Sequence, residues 1–147
     1  MSRTGFINAR LVDPASSLDS MGNLLVEDGK IADLGPTLFN DTIPDGVEII
    51  DCRGQMLCPG LSEMRVFTGE PGAEHRETLR TASLAAAPGG VTTFIVMPNT
   101  HPVIDDVALV DFIERRARDT AIVNIHPMAA LTKGLGNDLL RLVQVVA

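Results

Sequence analysis

The sequence has no tryptophan and no tyrosine, and five phenylalanines supply its whole aromatic content of 3%. A surface that stacks nucleobases needs aromatic platforms, so single-stranded nucleic acid is a poor fit as a partner. Excess positive charge is also missing. Lysine and arginine total 12 against 19 acidic residues, a formal net charge of −7, which opposes binding to a phosphate backbone or an anionic membrane through bulk charge. Cysteine is scarce: Cys52 and Cys58 lack the closer spacing and further ligands of a thiolate metal site, and read as small buried free thiols. No apolar run approaches the ~18 residues of a membrane span. The opening MSRTGFINAR has no apolar core of the signal-peptide kind. These features together fit a soluble cytoplasmic protein. No G-x-S-x-G, no phosphate-binding glycine loop and no CxxC occurs.

What is present is a globular share of hydrophobic residues, 45% over 147 positions, enough for a real core. Residues 4–12 read as a strand, 13–22 as a Ser/Asp/Pro/Gly loop, and 23–27 and 30–34 as strands joined by the turn dipeptide Asp28-Gly29. After a loop over 35–46, residues 47–51 form a short strand. The pieces make a small antiparallel β module over 1–55.

The stretch 56–72, MLCPGLSEMRVFTGEPG, reads as a strand kinked at Pro59-Gly60 and closed by Gly69, Pro71 and Gly72. A helix is expected over 74–87, with Glu74 and Glu77 in its first turn and Leu79, Ala82 and Ala86 facing inward. Pro88-Gly89-Gly90 stops it. VTTFIVM at 91–97 is β-branched and apolar without alternation, as in a parallel strand buried on both faces. A helix capped by Asp105 or Asp106 runs to about Arg118, with Val107, Val110, Ile113 and Ala117 on one face. A third strand follows over 121–125, and a helix start over 128–131 is broken by Lys133-Gly134. The apolar tail 139–147 is short, enough to patch one sheet edge.

Residues 56–72 carry a resemblance. PGL at 59–61, Met64 and EPG at 70–72 resemble, in matching register, the first barrel strand of dihydroorotases in the amidohydrolase superfamily. INARLVDP, LLVEDGKI, EIIDCRG and the MPNT turn at 97–100 are similar to further family phrases. The resemblance implies an α/β fold: the N-terminal part of an amidohydrolase-type TIM barrel over 56–147, preceded by the β module, with the barrel incomplete. It implies a metal-dependent cyclic amidohydrolase of de novo pyrimidine biosynthesis, which interconverts carbamoyl aspartate and dihydroorotate with zinc. It also implies that Asn99 contacts the substrate carboxylate.

The chemical residues of the pattern differ here. Arg65 and Phe67 stand where the resemblance expects the two metal-ligating histidines, Gly69 where it expects a substrate-binding arginine, and Glu63 where it expects aspartate. Two His at i and i+2 of a strand share a side and hold one metal through neutral nitrogens. Arginine has no lone pair to give and keeps its charge, and phenylalanine offers only a ring. Zinc is therefore expected in active relatives and not at Arg65/Phe67, and no residue here is assigned as catalytic. Asn99 also has a plainer reading as a turn cap. His75, His101 and His126 are scattered, and Glu70 and Glu74 lie near the strand end. Arg115, Arg116 and Arg118 read as a solvated helix face. The expectation is a non-catalytic subunit that assembles with aspartate transcarbamoylase or with itself. The alternatives are an active hydrolase with a non-standard site and an interrupted copy without function.

Overall fold

The computed structural model describes residues 2–136, and the expectation for the tail 139–147 lies outside them. The chain divides between Pro59 and Gly60 into two compact units.

The first unit is built on β1 (Arg3–Asp13), which hydrogen-bonds neighbours on both sides. β2 (Leu18–Glu27) pairs with it antiparallel, and β3 (Lys30–Gly35) continues from β2 through the Asp28-Gly29 turn, where both residues take positive φ. The expected loop over 13–22 is mostly strand. Its polar residues sit in the ladder while staying exposed: Arg10 and Asp19 pair across it at 2.6 Å, and the chain reverses within 14–17. The sheet is also not purely antiparallel. β4 (Glu48–Asp51) and β5 (Met56–Leu57) both run parallel to β1. Met56 and Leu57 thus belong to this sheet and not to the strand that follows, which moves the boundary from 55/56 to 59/60. Ala9, Leu11 and Leu25 are its buried apolar residues.

Three carboxylates of this unit titrate below their ordinary range. The Arg10 guanidinium lowers Asp19, the Ser16 hydroxyl with the Ala15 N–H lowers Asp13, and the Asn8 amide with the Arg53 N–H lowers Asp51. A carboxylate depressed in the folded state adds stability above its unfolded pKa and loses it as pH falls through the folded one. The unit should therefore hold its melting temperature down to about pH 5 and lose it progressively below about pH 4, where unfolded carboxylates protonate. Circular dichroism melts across that range check this, and Asp19→Asn should flatten the slope.

The second unit is a parallel sheet with strand order β6-β7-β8, from β6 (Leu61–Val66), β7 (Val91–Val96) and β8 (Asn124–Pro127). Helices α1 (Leu79–Ala86) and α2 (Val107–Thr120) connect them. Buried Leu79, Ala82, Phe94, Val96, Ile104, Ile113, Ala117 and Ile125 form one cluster between helices and sheet, and Val66 packs against it. β7 is buried on this face alone. Phe94 and Val96 are inaccessible while Thr93 and Ile95 keep partial exposure, so residues 93–96 of the apolar run follow strand alternation.

Several boundaries move. α1 begins at Leu79, capped by Thr78, whose hydroxyl accepts from the Thr81 N–H while Thr81 returns to the Thr78 backbone. Glu74 and Glu77 therefore precede the helix: a Thr-x-x-Thr box outcompetes them as its start. Ala87–Gly89 tightens to a 3-10 turn and Gly90 closes it at φ 78°. Asp106 is the α2 cap, accepting from the Ala108 N–H, while Asp105 accepts from the Gly134 N–H. The third strand starts at Asn124 rather than 121, because the Ala121 N–H still bonds the Ala117 carbonyl as the end of α2. No helix starts over 128–131; Lys133–Leu135 is a single 3-10 turn. Cys58 is exposed rather than buried.

Candidate functional site

The C-terminal ends of β6, β7 and β8 lie level. Val66 pairs with Val96 and Val96 with Pro127, the Met97 N–H bonds the Val66 carbonyl, and the Met128 N–H bonds the Val96 carbonyl. Chemistry in α/β barrels gathers at this end. Val66 packs against the helix-side cluster, and Arg65 and Phe67 flank it at the strand end. Both are exposed. The Arg76 guanidinium stands over the Phe67 ring at 5.8 Å from its centre, within cation–π range. Arg65 and Phe67 supply no lone pair for a divalent cation, and the side chains at these positions do not fit a zinc centre. Among the described residues no cluster of three or more His, Cys, Asp or Glu is placed to hold a metal.

The loop after β6 turns on Glu70. Its carboxylate is almost inaccessible, yet one oxygen accepts from the Leu79 N–H at 2.8 Å and the other from Arg116 Nε at 2.8 Å. One buried side chain thus ties the loop, the start of α1 and the middle of α2. Arg116 is correspondingly not the purely solvated side chain expected of its cluster. Neither is Glu70 half of a carboxylate pair with Glu74: Glu74 accepts from the Gly72 N–H, and that bond holds it below its usual range. Buried Thr68 donates to the Glu70 carbonyl. Periodicity gave no hint of this hub, because Glu70 and Arg116 lie 46 residues apart. The EPG triplet was the only signal.

Gly69 and Gly72 explain the glycines of this loop. Gly69 sits at φ +78°, where a Cβ would lie 2.8 Å from the Ala73 carbonyl oxygen. Gly72 sits at φ +99°, and a Cβ would run into the backbone carbonyl of His101 in the loop after β7. Only glycine lets these two loops approach so closely.

Asn99 lies exposed in the loop after β7. It does not cap its turn: among the described residues its side chain takes part in no hydrogen bond, and the turn is held by Thr100 Oγ1 donating to the Pro102 carbonyl and by the Ile104 N–H on the Pro98 carbonyl. His126 is exposed on β8, in register with Ile95. It lines an open groove of about 470 Å³ along β8 and the end of α2, with Glu114, Arg118 and Ile122. His75 and His101 are exposed on the two loops. No helix among the described residues is long and apolar enough to cross a membrane.

A sequence model of the family described as Dihydro-orotase-like matches residues 54–143. A protein named dihydroorotase from Wolbachia sp. subsp. Brugia malayi (strain TRS) is 47% identical over 131 residues, and one of the same name from Ehrlichia canis (strain Jake) is 46% identical over 129. They align with 88% and 87% of this chain, which spans about 30% of the length of either. Among solved structures, the L-hydantoinase (dihydropyrimidinase) of Arthrobacter aurescens superposes with a TM-score of 0.79 at 25% identity, over 90% of this chain and 28% of its own. A D-hydantoinase superposes with a TM-score of 0.70 at 25% identity.

Proposed function

The chain belongs to the dihydro-orotase-like family, and from that premise we propose a dihydroorotase-like protein of pyrimidine biosynthesis that has lost its own catalysis and serves as a structural subunit. Its fold is that of the amidohydrolase barrels, as their first strands and helices preceded by a β module. The observation that carries the loss of activity is the pair Arg65 and Phe67, exposed at the C-terminal end of β6 where the resemblance expects metal ligands. A metal bound there in an active relative would polarise a carbonyl and activate water. In this chain a fixed positive charge and an aromatic ring occupy those positions, and Arg76 adds a second cation. No step through a metal is derived for it.

The subunit reading is supported by apolar side chains left in solvent on the second unit, among them Leu61, Met64, Ile122 and Leu131. Aspartate transcarbamoylase is the proposed partner, self-association the other form of assembly, and the cytoplasm the proposed compartment. Co-sedimentation of the purified chain with the aspartate transcarbamoylase of the same organism tests the partner. Two species sedimenting independently at micromolar concentration would sink it.

Elemental analysis after gentle purification tests the site. The expected result is less than one tenth of a zinc per chain. Arg65→His with Phe67→His should not create turnover of dihydroorotate, since Gly69 still lacks a guanidinium fork for the carboxylate. Adding Gly69→Arg should not help either: a side chain there meets the Ala73 carbonyl at a left-handed φ and should cost about 1–3 kcal/mol of stability. Turnover above background by any of these variants refutes the assignment.

A further inference from the structure

The chain contains two Asp-Gly steps, Asp28-Gly29 and Asp45-Gly46, and no Asn-Gly step. Asp-Gly is the aspartyl step most open to imide closure, because glycine puts no side chain beside the attacking amide nitrogen and leaves the backbone free to reach the closing geometry. The two steps sit in different surroundings. Asp28 and Gly29 are the corner of a hairpin whose flanking residues, Glu27 and Lys30, pair directly. The Asp28 N–H donates to the Ser2 carbonyl at 2.9 Å, and the Asp28 carboxylate accepts from the Ser2 N–H at 2.9 Å. Backbone and carboxylate of this aspartate are therefore both tied. Asp45-Gly46 lies between β3 and β4 in the exposed run 40–46. Among the described residues the Asp45 carboxylate forms no ion pair and no hydrogen bond, and the N–H groups of Asp45 and Gly46 have no partner. Gly46 takes φ +78°, and nothing stands within 4 Å of the place a Cβ would occupy.

We propose that Asp45 is a site of spontaneous isoaspartate formation and that the fold protects Asp28 from the same reaction. The Gly46 nitrogen attacks Cγ of Asp45, a C–N bond forms, and the carboxyl hydroxyl leaves with the amide proton as water. Water then opens the five-membered imide. Opening at Cγ restores aspartate. Opening at the α-carbonyl breaks the bond between that carbon and the Gly46 nitrogen, so the chain continues through Cγ and the α-carboxylate is set free. No oxidant or metal takes part, and the net mass is unchanged. The product carries one extra main-chain atom. β4 pairs with β1 only from Glu48 onward, so the loop absorbs that atom and the sheet is kept.

Incubation of the full chain at neutral pH over several weeks, beside a sample unfolded in urea, tests the site. Isoaspartate is read by methyl transfer from S-adenosylmethionine with an isoaspartyl methyltransferase. It is located by resistance to endoproteinase Asp-N, which cleaves before aspartate and not before isoaspartate. In the folded chain the label should gather at 45, with at least about tenfold less at 28, and in urea the two positions should label alike, as for a constraint supplied by local structure. Asp45→Glu should remove most of the label from the folded chain, since closure there would need a six-membered ring, and Asp28→Glu should leave it unchanged. Circular dichroism confirms that each variant, and the labelled protein itself, is folded. Equal labelling of 28 and 45 in the folded chain overturns the protection of Asp28. Absence of label at 45 in the folded chain overturns the site, whatever the sample in urea shows.

Discussion

Arg116→Met should cost about 3 kcal/mol of stability, although Arg116 itself is half exposed. The asymmetry of the pair sets the size of the effect. The Glu70 side chain is only 3% exposed, so removing its cation strands a buried carboxylate with one remaining partner, the Leu79 N–H. A neutral glutamine at 70 should relieve that burden. Glu70→Gln added to Arg116→Met should therefore recover at least about 1 kcal/mol relative to the single variant. Urea denaturation followed by far-UV circular dichroism reads both, the only convenient optical route in a chain without tryptophan or tyrosine. Strict additivity of the two substitutions would show that the pair carries no coupling.

Phe94→Ala should be the most damaging single truncation, at about 3–5 kcal/mol. Phe94 is 1% exposed at the centre of the middle strand, and the cluster around it draws on both helices and on β8. A domain has only about 5–15 kcal/mol in hand, so the second unit of the variant should be largely unfolded at 37 °C. Phe112→Ala on α2, where the ring is 41% exposed, should cost under about 1 kcal/mol. Hydrogen exchange of the β7 amides separates the two. A Phe94→Ala protein with β7 as protected as wild type would mean that the core is organised around another residue.

Much of this was readable in the sequence, and the exceptions share a cause. β7 and α2 announce themselves through a β-branched run and a helical period, and the Asp28-Gly29 turn through its chemistry. What misled were polar residues whose partners are distant in sequence. Asp19 looks like loop until Arg10 is placed across from it; separately, 47–51 reads as antiparallel and Met56 as the start of the next strand until β1 is seen to accept parallel neighbours. Glu74 and Glu77 look like helix-start residues until Thr78 is seen to hold its own cap. The candidate site divides in the same way. Arg65, Phe67 and Gly69 were legible by their departure from a known pattern. The Glu70–Arg116 tie and Arg76 over Phe67 were not, since no local spacing encodes them.

The tie at Glu70 has a consequence for how this loop tolerates change. Residues 61–65 and 67 point into solvent, and the buried run begins at Thr68 and continues to Pro71. A saturation library over 61–79, selected only for folded protein, should therefore show a step rather than a gradient. Nearly any polar residue should pass at 65 and 67, while 69, 70 and 72 should accept almost nothing. The positions where the resemblance expects metal ligands are the replaceable ones, and the frame behind them is not. A chain of this design can drift away from a reaction one exposed side chain at a time while its backbone remains where it was.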